Sequence, residues 1–140
     1  MALTEAQKDL VQTSFKLVEP IADTAADIFY TQLFLRLPEV KPLFKSDLTQ
    51  QGKKLMGTLS VAVNSLDKLD ALVPVLQNLA IKHIDYGVKQ EHYPPVGEAL
   101  LATLEIGLGE HFTEETKQAW ADTYGLIQSV MCEAAYAETA

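Results

Sequence analysis

Apolar residues recur along this chain at intervals of three and four, the spacing of helix faces rather than the alternation of strands. Thr4, with Gln7 three residues later, is a capping-box pattern that predicts a helix start; Val11, Phe15 and Val18 then line one face. Pro20 suits the first turn of a second helix, where its missing N–H costs nothing. Ala22, Ala25, Ala26, Phe29, Leu33 and Leu37 form that helix's stripe. Pro38 and Pro42 bracket a stretch with room for about one turn. A helix beginning near Asp47 or Thr49 carries Gln51, Leu55, Leu59, Ala62 and Leu66 on one face. Another runs from Leu69 to Ile84 with Leu72, Leu76, Leu79 and His83 in line, and Gly87 is placed to cap it in the left-handed conformation. Pro94 and Pro95 open a helix bearing Val96, Leu100, Leu104 and Leu108. Thr113, followed by Glu114 and Glu115, caps the last one, the acids opposing the positive end of its dipole. Its buried face is Trp120, Tyr124, Ile127, Met131 and Ala134. The expected class is all-α, with too many short turns for a simple four-helix bundle.

No linker, repeat or change of composition divides the chain, so residues 1–140 read as one domain. That length buries about two-thirds of the surface exposed by the unfolded chain, enough for a core without disulfides. Cys132 is the only cysteine, which fits a reducing compartment. Nineteen acids against eleven bases give a formal charge of -8, which disfavours nucleic acid and anionic membrane surfaces as partners. No apolar run approaches the roughly 20 residues of a membrane span. Glu5, Lys8 and Asp9 interrupt the first ten residues where a signal core would lie, so a cytoplasmic location is expected.

Chemistry-bearing patterns are few. One cysteine and scattered histidines make no closed zinc site, no glycine-rich loop cradles phosphate, and no serine sits in a nucleophile elbow. His83 stands out because it continues an apolar row, where an imidazole needs a partner. Alone it reads more often as a satisfied core histidine than as a ligand. His92 and His111 are expected to be solvated. Tyr30 alone reads as a core residue with its hydroxyl at the edge, and Gln51 alone as surface. Together, with Phe44 closing the proline-rich corner, they outline a slot walled by Leu and Phe, an imidazole on one side and two donors on the other. Such a slot suits a flat apolar cofactor with an axial metal, and haem is the first candidate.

At these residues the chain resembles the globins, and among them the bacterial single-domain globins related to the haem domain of flavohaemoglobins. The resemblance spans nearly the whole chain. It is carried by Phe29-Tyr30, by the run from Pro38 to Phe44, by Lys82-His83, by the run from His92 to Gly97 with Leu100-Leu101, and by Ala119-Trp120 with Tyr124-Gly125. It implies a globin fold of six to eight helices in a three-over-three sandwich around haem b. It further implies His83 as the proximal iron ligand and Phe44 as the ring stacked on the haem. Tyr30 and Gln51 become the distal donors, Leu55 the apolar residue one turn beyond Gln51, and Tyr93 the tyrosine approaching the proximal histidine. Lys82 and Val88 complete the expected haem contacts.

Two departures from the flavohaemoglobin pattern stand out. The 140 residues contain no flavin or nicotinamide segment, so electrons are expected from a separate reductase. Counting from Trp120 and Tyr124, the proximal glutamate's place is taken by Ala135. Glu133, two residues away, is turned about 200° around the helix. A myoglobin-like, more neutral imidazole is therefore expected, with pentacoordinate ferrous haem. The resemblance leaves three functions open. They are high-affinity reversible O2 binding, with CO and NO as further ligands; nitric oxide dioxygenation with an external reductase; and a haem-free signalling module. A monomer or weak dimer is expected.

Overall fold

The computed structural model describes residues 3–43, 48–85 and 89–136. Thr4 starts the first helix as its pattern predicts. Its hydroxyl accepts from the Gln7 amide at 3.0 Å, and the Gln7 side chain accepts from the Thr4 amide at 3.0 Å. Helix α1 then runs Glu5–Val18. Pro20 falls in a 3-10 turn, Glu19–Ile21, that leads into α2, Ala22–Arg36. A second 3-10 stretch, Pro38–Leu43, fills the proline-bracketed corner. There follow α3, Leu48–Asn64; α4, Leu69–Asp85; α5, Tyr93–Leu108; and α6, Glu114–Tyr136. Short 3-10 turns precede α5 (Gln90–His92) and α6 (Gly109–His111), and no strand occurs among the described residues.

Two details differ from the sequence pattern. Leu66 lies beyond the end of α3, yet it is fully buried, so the turn after the helix extends its apolar face. Pro74 lies inside α4. Its ring is exposed, and the helix passes it while the row Leu72, Leu76 and Ala80 stays buried. Gly87, expected to cap this helix, lies outside the described residues.

The layers follow from which faces are apolar. Helix α2 packs on α5 and α3, while α1 and α4 both pack on α6. Val11, Phe15, Leu33, Leu72, Leu76, Leu104 and Trp120 belong to the shared core. The α1–α6 contact carries a polar staple within that core. The Trp120 indole N–H donates to Ser14 Oγ at 2.8 Å, and Ser14 Oγ donates to the Leu10 carbonyl at 2.6 Å. A buried indole N–H without such an acceptor would cost about 1–3 kcal/mol. The α2–α3 crossing is close because Gly52 faces Ala26: a Cβ at position 52 would lie 2.8 Å from that of Ala26. No described helix is long and apolar enough to cross a membrane.

Candidate functional site

On α4 the fully buried row stops short of His83, which is half-buried. Loss of water pushes its pKa down, and the Leu79 carbonyl one turn back, accepting from the ring, partly offsets this. The imidazole is thus neutral near pH 7, the form that binds metals. Lys82 beside it is exposed.

Tyr30, on α2, is buried. Burial pushes its phenol up to about 12, so it remains a proton donor across the physiological range. Two rings fix its plane. Phe29 meets it edge-on at 5.4 Å between centroids, and Phe34, one turn later, stacks on it at 6.0 Å with 23° between planes. The first turns of α3 approach the same ring, and a Cβ at Gly52 would lie 3.9 Å from Tyr30 Cε2. Gln51 and Leu55, flanking Gly52 along α3, are half-buried. Tyr30 and the start of α3 are therefore brought together. Behind them lies a small apolar cavity lined by Phe29, Leu55, Leu59, Leu100 and Trp120 among others. Thr103, the hydroxyl-bearing residue in that lining, donates inward to the Ala99 carbonyl at 2.7 Å.

Tyr93 opens α5 and is buried. The Tyr124 hydroxyl donates to its carbonyl at 2.6 Å, tying α6 to the start of α5. Burial raises the Tyr124 pKa well above the usual phenol value. Gly97 makes this possible, since a Cβ there would meet the Tyr124 ring at 2.6 Å. Ala135 packs half-buried against the core and Glu133 is exposed, so neither brings a buried carboxylate to this side.

Phe44 and Val88 lie outside the described residues. His111 is exposed, as expected, but His92 is not solvated: it is 8% exposed, and its Nδ1 accepts from the Lys89 amide at 3.0 Å. The 3-10 turn Gln90–His92 folds the ring back onto that amide, so the histidine caps its own turn. Sequence reasoning also missed Phe34 and the Tyr124–Gly97 contact. Phe34 had a local signal, since it stands four residues after Tyr30 on the same helix; the Tyr124–Gly97 contact joins two helices and had none.

Among the described residues no three His, Cys, Asp or Glu side chains converge as a metal-ligand set. A metal at His83 would need its other donors from elsewhere. Haem fits this requirement, because its macrocycle brings its own nitrogens and asks the protein for one neutral imidazole and apolar walls.

Comparison with known proteins decides the family. The model of the family described as Globin matches residues 27–131, three-quarters of the chain. The chain belongs to the globin family. Among curated relatives, this globin is 32% identical over 133 residues to a flavohaemoprotein of Chromobacterium violaceum and 29% identical over 134 residues to one of Halalkalibacterium halodurans. These alignments cover 92% and 94% of the globin, which spans about a third of the length of either relative. Among solved structures it is similar to an engineered carbene transferase made from an assigned nitric oxide dioxygenase of Rhodothermus marinus. The TM-score is 0.88 at 27% identity, covering 99% of this chain and 96% of that one. A bacterial globin of Campylobacter jejuni gives 0.83 at 26% identity, covering 97% and 99%.

Proposed function

We propose that this chain is a haem globin that binds O2 reversibly and tightly. His83 is the iron ligand, and Tyr30 and Gln51 are the donors to the bound gas. The observation that carries the reading is the buried Tyr30 phenol, fixed by aromatic neighbours under the first turns of α3. Haem supplies reversible binding of diatomic gases at its iron.

The protein's residues do the rest. A neutral His83 offers its lone pair, and with alanine at position 135 and Glu133 exposed, neither position brings a buried carboxylate to polarise the ring. Leu55, Leu59 and Phe29 exclude water. In a dry pocket a phenol O–H and an amide N–H each donate more strongly than the roughly 1 kcal/mol typical of an exposed bond. Tyr30, the more buried and better fixed, is the larger contributor.

Absorption spectra test the reading: ferric, then dithionite-reduced, then with CO. A one-to-one haem spectrum, five-coordinate when ferrous and shifted by CO, is expected. No Soret band after haem addition refutes it. Tyr30→Phe should then speed O2 dissociation tenfold or more, since about 1.4 kcal/mol is tenfold. An unchanged rate would remove Tyr30 from the role.

A second reading has support in the likeness to flavohaemoproteins. It is nitric oxide dioxygenation, in which NO and O2 combine to nitrate and a separate reductase returns one electron per turnover. The alanine at position 135 weighs against it, because nothing there polarises the proximal imidazole. Sustained NO consumption on adding a reductase in trans would favour this reading over simple O2 binding.

A further inference from the structure

We propose that Phe34 is a positioning residue for Tyr30: its ring holds the phenol in the orientation that lets the hydroxyl donate to a bound gas. The proposal rests on the reading of Tyr30 as that donor. Tyr30 cannot turn freely in its surroundings. Phe29 meets the ring edge-on at 5.4 Å, and the α2–α3 crossing at Gly52 limits it on another side. Phe34 supplies the stacked face, at 6.0 Å and 23°.

Unlike Phe29, Phe34 is only half-buried, so it is the outer wall of this enclosure. Its ring is in turn covered by the Lys41 ammonium, 6.0 Å from the centroid, on the 3-10 stretch that follows α2. The order from solvent inward is ammonium, Phe34 ring, Tyr30 ring. A tyrosine that swings outward has to displace a stacked aromatic capped by a cation. Replacing Phe34 with a smaller, unstacked side chain opens that direction without touching the hydroxyl.

The test is a double-mutant cycle on the haem-loaded protein, using Phe34→Leu, Tyr30→Phe and the pair, with Phe34→Tyr as the variant that keeps a stacked ring. O2 dissociation is measured for each, together with the C–O stretching bands of the CO form and the NMR shifts of the Tyr30 ring protons. Phe34→Leu should speed dissociation by about three- to tenfold, the span an aromatic pair contributes. It should split the C–O band into a donor-bound and a donor-free component and move the Tyr30 ring shifts. Phe34→Tyr should restore all three. In the Tyr30→Phe background, Phe34→Leu should add nothing.

Equal acceleration by Phe34→Leu in both backgrounds, or unmoved C–O bands and ring shifts, overturns the positioning role while leaving Tyr30 as donor. A dissociation rate that Tyr30→Phe itself does not alter overturns both.

Discussion

Gly97 is where a single methyl group should do most damage. Glycine in a helix interior ordinarily gains about 1 kcal/mol on replacement by alanine. Here the new Cβ would lie 2.6, 2.7 and 3.2 Å from Cε2, Cδ2 and Cζ of Tyr124. Carbon pairs rest near 3.5–4.0 Å, so the ring would have to withdraw by about 1 Å. The hydroxyl it carries donates to the Tyr93 carbonyl at 2.6 Å, and a retreat of that size breaks the bond. Overpacking costs about 1–3 kcal/mol and the lost bond about 1 kcal/mol, against a propensity gain of about 1 kcal/mol. Gly97→Ala should therefore lose about 2 kcal/mol net, or about 6 °C of Tm at about 3 °C per kcal/mol. The control is Gly125→Ala on α6, where nothing lies within 4 Å of the added Cβ; it should gain about 0.5–1 kcal/mol. Denaturant and thermal melts at fixed haem loading separate the two, since a ligand that binds only the native state shifts Tm by itself. Tyr124→Leu should make alanine at 97 tolerable. If Gly97→Ala is as stable as the parent, or if Tyr124→Leu brings no relief, the clash is not what requires glycine at this position.

Three further outcomes follow from the packing. Ser14→Ala should cost about 1–3 kcal/mol in urea melts by depriving the Trp120 N–H of its acceptor, and the sole indole's fluorescence should report the change directly. Gly52→Ala should push α3 off α2 against the Ala26 Cβ and destabilise by about 1–3 kcal/mol, and Ala26→Gly should restore it. The Tyr30 phenol is raised to about 12 in the folded chain, above its unfolded value near 10. Its contribution is therefore fully present below pH 10 and lost as pH rises towards 12, because the unfolded chain releases the proton first. The alkaline loss of stability should be smaller in Tyr30→Phe, as pH-dependent melts would show.

Helix faces were legible because burial follows period. Thr4 and Gln7 form the capping box their spacing announces, and His83 interrupts its apolar row where the pattern placed it. Contacts between elements distant in the chain were not legible. Nothing near Gly97 announces that a ring 27 positions later will lie on it. His92 reads as solvated because it adjoins a proline-rich, polar stretch. Its burial comes from the tight turn that brings its ring to the Lys89 amide. Phe34 counts in any hydrophobic pattern as one more apolar residue; only the angle between its plane and that of Tyr30 shows what it stacks on.

The staple between Ser14 and Trp120 joins residues 106 positions apart, and it is the first and last helices that it closes together. During synthesis α1 emerges with its apolar face bare. It cannot seat that face on α6 until residues 114–136 have also been made. The delay is set by translation, at roughly 5–20 residues per second. The central helices can collapse on one another meanwhile, but the barrier that remains is a long loop closure. The α1–α6 seam is thus among the last of the described contacts to close on a growing chain, and the fluorescence of the indole within it marks that closure.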